Sequence, residues 1–294
     1  MADGLLGAIE GGGTKFVLAV GTADGAILAR HVIPTLDPAT TLDQAGAWLE
    51  RHSPLTALGI ATFGPVELDP GSARWGSITD TPKPGWSNCA IASYFAQRLG
   101  VAVGFDTDVN GAALAEFTLG AGVGASGLAY VTVGTGIGGG LVLDGRLVHG
   151  AGHPEIGHLY PRRDADDRDF PGHCPFHGDC LEGLASGPAI LARWGASLSD
   201  LPPGHVAHER VATYLAQLCH TLFASCAVER VVLGGGVMKA PGLLDRIRQK
   251  AETIGGNYLP GRDRQRIAAP LLGDDAGIKG ALLIAAQRAA PANR

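Results

Sequence analysis

Short apolar runs broken by glycine alternate along this chain with longer apolar segments of helical spacing. Leu5 to Ile9 reads as a buried strand that runs straight into Glu10-Gly11-Gly12-Gly13-Thr14-Lys15, and Phe16 to Val20 reads as a second strand. The glycines between them therefore form a hairpin turn rather than a strand-to-helix loop. Leu128 to Val133 is another strand, followed by Gly134-Thr135-Gly136-Ile137-Gly138-Gly139-Gly140 and then the strand Leu141 to Leu143. A third glycine turn, Gly234-Gly235-Gly236, follows the strand Arg230 to Leu233. Gly59 to Phe63 is a strand ending in Gly64-Pro65, and Val101 to Phe105 is a strand ending at Asp106-Thr107-Asp108-Val109-Asn110. The alanine-rich run Ala112 to Leu119 is a helix closed by Gly120; Val211 to Phe223, Leu243 to Ile254 and Ile278 to Gln287 are core helices. Strands interleaved with helices predict an α/β fold. Two strand–glycine–strand units, similarly placed in the two halves, point to duplicated halves facing each other.

The turns suggest chemistry. Backbone N–H groups and a hydroxyl at Gly12, Gly13, Thr14 and Lys15 can approach phosphate oxygens without Cβ hindrance. The spacing is not that of a P-loop, and a single such turn is ordinarily just a glycine hairpin. Three turns after strands can line one nucleotide, two at the phosphates and one near the adenosine. Asp108 sits at a strand end and helix start, where loops of α/β folds face a cleft; the plain reading of an Asp there is an N-cap. Gly64-Pro65 and the rigid loop Thr81 to Trp86 are candidate pocket walls.

The stretch from His149 to Glu182 concentrates metal-binding side chains. Cys174, His177 and Cys180 form a Cys-x-x-His-x-x-Cys run that supplies three ligands, whereas a structural zinc takes four in a closed tetrahedron. The acidic, proline-bounded segment Pro161 to Pro171 can fold His158 back as the fourth. Glu155 and Glu182 flank these ligands, so the metal would hold both carboxylates over one spot. A Cys174–Cys180 disulfide is the competing reading, and His153 and His173 are left as hydrogen-bonded loop histidines. HPEIGH is not the H-E-x-x-H of metalloproteases.

Composition narrows the classes. A length of 294 residues suggests two domains, and 46% hydrophobic residues allow a full core without disulfides. Glycine, at 45 residues, is about twice its average share. A net charge of −5 with no basic run argues against a nucleic-acid partner. No apolar stretch reaches membrane-spanning length and no basic n-region opens the chain. A cytoplasmic protein is expected. Of the five cysteines, Cys89, Cys219 and Cys226 read as ordinary buried thiols.

The segments IEGGGTKF, GIATFGPVEL, TPKPGW, GFDTDVNGAAL, VTVGTGIGGG, HPEIGH, CPFHGDCLEGLASGPA, LGGGVM and AGIKGALLIA, in this order, closely resemble the ROK sugar kinases. They are most similar to the bacterial fructokinase subgroup. The resemblance implies a two-domain actin/hexokinase-like (ribonuclease H-like) fold with a cleft between duplicated halves. It divides the chain into 1–117, with a helix of about 278–294 packing back on it, and 118–277, with a zinc loop at 158–182. ATP phosphates would be held at Gly12, Gly13, Thr14, Lys15, Gly134, Thr135 and Gly136, with Gly187, Pro188, Gly234 and Gly235 also binding the nucleotide. Asp108 takes the place of the catalytic base. Gly64, Pro65, Asp108, Glu155, His158 and Glu182 would bind the sugar, and His158, Cys174, His177 and Cys180 a structural zinc.

Three positions depart from the wider family: Glu10 where many members have Asp and a magnesium link, Thr107 for an asparagine, and His177 for a cysteine. All three fit the fructokinase subgroup. The expected reaction is transfer of the ATP γ-phosphoryl group to the 6-hydroxyl of fructose, with Mg²⁺, in a homodimer without nucleic-acid or membrane partners. A first strand at Leu5 leaves no room ahead of it for the helix-turn-helix of ROK repressors. Alternatives are a ROK kinase for mannose, glucose or an N-acetylhexosamine, a sugar sensor that binds without phosphorylating, and a zinc-binding interaction module.

Overall fold

Glycine and alanine on one side of a sheet, and large side chains on the other, organise the first part of the chain. In the computed structural model, which describes residues 4–289, β1 (Leu6–Gly11) pairs antiparallel with β2 (Lys15–Gly21), and β2 with β3 (Ile27–Pro34). On its other side β1 pairs parallel with β4 (Ala57–Thr62), and β4 with β5 (Ala102–Thr107), giving the order β3-β2-β1-β4-β5. Ile9, Leu18, Leu58 and Ile60 point to the face covered by α1 (Pro38–Glu50) and α2 (Ile91–Leu99). Ala8, Ala19, Ala57 and Ala61 point the other way, to α3 (Asp108–Leu119) and α8 (Ala276–Ala289). Small residues let α8 lie close: a Cβ on Gly59 would sit 1.8 Å from the Ala281 carbonyl oxygen, and one on Gly280 would sit 2.0 Å from that of Gly111.

The second sheet repeats the arrangement. The strands β6 (Gly127–Val133) and β7 (Ile137–Leu143) form an antiparallel hairpin; β9 (Arg230–Gly234) pairs parallel with β6, and β10 (Arg266–Ala268) with β9. The order β7-β6-β9-β10 thus matches β2-β1-β4-β5. Helices α4 (Leu181–Ala185), α5 (Gly187–Trp194), α6 (Val206–Cys226) and α7 (Leu243–Gly255) complete this part. Contacts divide the chain into two units: residues 4–119, 146–153 and 272–289, and residues 120–145 and 154–271. The two-residue strand β8 (Arg146–Leu147) opens the segment that returns to the first unit. The expected helix to 294 runs to Ala289, and 290–294 lie outside the described residues. Among the described residues no helix is long and apolar enough to cross a membrane.

Two sequence expectations are corrected. Gly138, Gly139 and Gly140 belong to β7 rather than to the turn. Close approach explains them: a Cβ on Gly139 would lie 2.0 Å from the Ile156 side chain, and one on Gly157 would lie 1.8 Å from the Ile137 carbonyl oxygen. The short 3₁₀ turn Ile156–His158 is thereby pressed onto β7. The second correction concerns Asp108, which is the first residue of α3, not its cap. Thr107 does the capping, its Oγ1 accepting from the Asn110 N–H at 3.1 Å.

Candidate active site

In the first unit the turn between β1 and β2 is braced from behind. Gly12 N–H donates to the Lys15 carbonyl at 2.9 Å, while Thr35 donates its N–H to the Thr14 carbonyl at 2.9 Å and its hydroxyl to the Gly12 carbonyl at 2.7 Å. Gly13, Thr14 and Lys15 are left exposed at the tip.

Glu10, at the end of β1, lies close enough to Asp108 to feel its charge. Its carboxyl is pushed up from 4.5 to about 7, by burial first and by Asp108 second, with Lys15 and Arg30 opposing. Its Oε2 is closed off from solvent and has no hydrogen-bond partner among the described residues.

Asp108 is positioned from behind by a network that sequence reasoning missed. Buried Asp106 accepts from the Thr107 N–H at 2.8 Å and from the Asn110 side-chain amide at 2.6 Å through one oxygen. Its other oxygen lies 2.8 Å from His149 Nε2. This hydrogen bond, ahead of every other influence, holds the His149 imidazole above its ordinary pKa. Asn110 is fully buried. The Asp-x-x-x-Asn spacing, which sets Asp106 at the end of β5 against Asn110 on the first turn of α3, was the available signal; His149 had none. At the end of β4, Val66 N–H beyond Gly64-Pro65 donates to His153 Nε2 at 3.3 Å, so His153 is a hydrogen-bonded loop histidine as expected.

In the second unit three backbone features converge. Gly187 N–H, at the start of α5, donates to the Gly134 carbonyl at 2.7 Å, with Pro188 in the first turn and Ser186 capping. Gly235, at φ +94°, lies against Val133, where a Cβ would approach the Val133 nitrogen and carbonyl oxygen within 2.6 Å. The Gly134–Gly136 turn, the N-terminus of α5 and the Gly234–Gly236 turn are therefore neighbours, and a helix N-terminus favours an anion. Glu182 accepts from the Ile137 N–H at 2.9 Å through Oε2, which ties this carboxylate to the end of the glycine turn.

The four expected metal ligands meet. One donor atom each from His158, Cys174, His177 and Cys180 lies within 4.8 Å of all the others. A tetrahedral zinc, at about 2.3 Å from sulfur and about 2.0–2.1 Å from nitrogen, sets sulfur–nitrogen edges of about 3.6 Å and nitrogen–nitrogen edges of about 3.4 Å. The distances are 3.8 Å from Cys174 Sγ to His158 Nδ1, 3.9 Å from Cys174 Sγ to His177 Nδ1, 3.5 Å from Cys180 Sγ to His158 Nδ1, and 3.2 Å between the two Nδ1 atoms. The donor set fits zinc. None of the five cysteines is joined in a disulfide. His158 Nε2 faces Glu155 Oε2 at 3.9 Å, and Leu181 N–H donates to the Leu159 carbonyl at 2.8 Å, joining the His158 and Glu182 segments. The acidic segment between the ligands is anchored by Asp167. This side chain is fully buried and is held by Arg193, by Arg210 at 3.0 Å and by Arg163 at 3.9 Å.

A glycine turn and a helix-starting Asp in one unit, with glycine turns and a helix N-terminus in the other, are the parts of a phosphoryl-transfer enzyme with the actin-like sugar kinase fold. The sequence profile of the ROK family matches residues 6–288, and the chain belongs to that family. It is 47% identical over 289 residues to a fructokinase of Zymomonas mobilis, covering 96% of each chain. Among solved structures, a ROK hexokinase from Thermus thermophilus matches with a TM-score of 0.81 and 28% identity, covering 96% of this chain and 97% of that one. A ROK family glucokinase from Streptomyces griseus in complex with glucose and AMPPNP matches with a TM-score of 0.74 and 26% identity, covering 97% and 100%.

Proposed function

We propose that this chain is an ATP-dependent fructokinase that transfers the γ-phosphoryl group of ATP to the 6-hydroxyl of D-fructose. The observation that carries this reading is its 47% identity to a fructokinase along 96% of both chains. Asp108 is the base that accepts the hydroxyl proton, and Asp106, Asn110 and Thr107 fix its helix turn. Amides of Gly12 to Lys15 and of Gly134 to Gly136 bind phosphate oxygens, with the α5 N-terminus at Gly187 and Pro188 behind them. Gly234 and Gly235 lie along the adenosine. Gly64, Pro65, Glu155, His158 and Glu182 bind sugar hydroxyls. Each contact to a hydroxyl discriminates, because a missing or inverted one leaves a buried polar group unpaired at roughly 1–3 kcal/mol.

Magnesium, when bound, supplies neutralising charge to the phosphates; the Oε2 of Glu10, buried beside a second carboxylate and without a hydrogen-bond partner among the described residues, is an arrangement that a cation relieves. Zinc is structural, with His158, Cys174, His177 and Cys180 filling all four positions and leaving none for an activated water. A homodimer belongs to the same reading.

The test is an ADP-release assay over fructose, mannose and glucose at fixed ATP and Mg²⁺, with the phosphorylated carbon located by NMR. The highest kcat/KM is expected for fructose, with mannose second. A clear preference for glucose overturns the fructose assignment and leaves family membership standing. Sugar binding without ADP release from any hexose indicates a sensor.

A further inference from the structure

Lys83 has no role in the mechanism above, yet the fold delivers its ammonium to the tip of the first phosphate turn. Its Nζ donates to the Gly13 carbonyl at 2.5 Å. The loop that carries it is stiff, because Pro82 and Pro84 flank the lysine and Gly85 turns the chain at φ +79°. Trp86, fully buried, is its foot. The indole N–H donates to the Leu36 carbonyl at 2.9 Å, and the ring packs on Phe16 and Phe63 at centroid distances of 5.3 and 5.5 Å. Phe16 directly follows Lys15, so the loop stands on the strand that leaves the turn and reaches back over its tip.

An ammonium has three N–H donors and the carbonyl uses one. Among the described residues no carboxylate lies within ion-pair distance of Lys83. Space is available too, since a Cβ placed on Gly13 would meet nothing within 4 Å. Two carboxylates, Glu10 and Asp108, and two cations, Lys15 and Arg30, already stand near this turn, and a phosphoryl group entering beside them adds negative charge that a further cation can offset.

We propose that Lys83 is a ligand of the transferred phosphoryl group, bridging the Gly13 carbonyl and a non-bridging γ-phosphate oxygen. This rests on the reading of the chain as an ATP-dependent kinase. Lys83 stays protonated, forms no covalent bond and contributes hydrogen bonds and charge that strengthen as the phosphoryl group transfers.

The experiment compares Lys83→Met and Lys83→Arg with the parent. Calorimetry measures the binding of MgADP and of the γ-phosphate-containing analogue MgAMPPNP, and steady-state kinetics gives kcat with the best hexose. Lys83→Met should weaken MgAMPPNP about tenfold while MgADP changes less than about threefold, since a charge-assisted contact to the γ-phosphate is lost and the rest is untouched. Its kcat should fall about a hundredfold, and Lys83→Arg should recover part of both losses. Equal loss for the two nucleotides, or a kcat within about threefold of the parent, overturns the proposal. If Lys83→Met does not fold, Lys83→Gln, which keeps a donor for Gly13, carries the same comparison. The nucleotide contrast needs no sugar, so it decides the role of Lys83 even if the hexose assignment fails.

Discussion

Glu10 carries a stability cost that can be measured directly. Its carboxyl titrates at about 7 in the folded chain against an ordinary 4.5, chiefly because burial disfavours the charged form and Asp108 adds repulsion. The folded chain therefore holds this proton more tightly than the unfolded chain. Stability falls as pH rises from 4.5 to about 7 and is level above that. The difference corresponds to about 3 kcal/mol. Glu10→Gln keeps the shape and removes the ionisation. Without nucleotide or Mg²⁺, the variant should gain on the parent by about 3 kcal/mol between pH 4 and pH 8. For a unit of this size that is a relative Tm change of roughly 6–12 °C. Any fixed cost of fitting an amide against Gly277, where a Cβ would lie 2.4 Å from the Glu10 carboxyl, shifts both ends equally. The slope carries the information. Thermal unfolding of both proteins across this range is the assay, and a difference that does not change with pH would refute the reasoning.

Three further outcomes are expected. Asp108→Asn should lower kcat by about two to four decades with little change in sugar affinity; activity within a few-fold of the parent removes Asp108 as the base. Purified protein should carry about one zinc per chain by metal analysis, and Cys180→Ser should lose it and lower thermal stability, since structural sites supply ~10–16 kcal/mol of apparent binding energy. Asp167→Asn takes a buried counter-charge from Arg193, while Arg163 keeps Asp179 and Arg210 keeps Asp166, and should cost about 3–5 kcal/mol in urea unfolding.

The central strands and the metal ligands were legible because their signals are local: buried apolar runs ended by glycine, and a Cys-x-x-His-x-x-Cys spacing with a histidine upstream. The edge strand β3 was not, because Leu28 and Val32 are exposed and the alternation is blurred. Gly138 to Gly140 were assigned to a turn because glycine reads as flexibility, whereas here it answers to the crowding of Ile156 against Gly139. Asp108 read as a cap for want of knowing that the neighbouring hydroxyl would take that task. The Asp106–His149 contact spans 43 residues and leaves no mark in any window of sequence. Lys83 is the same kind of miss, meeting Gly13 across 70 residues.

The helix α8 has a consequence for how the protein is made. The face of the first sheet formed by Ala8, Ala57 and Gly59 is completed by this helix, which is translated only after the whole second unit. At the usual rate of about 5–20 residues per second, that surface waits on the order of ten seconds after the sheet has left the ribosome. During the wait the part of this apolar strand surface that α3 leaves uncovered is open to neighbouring nascent chains. That interval, rather than the finished fold, is when aggregation threatens this polypeptide most, and when a ribosome-associated chaperone would act on it.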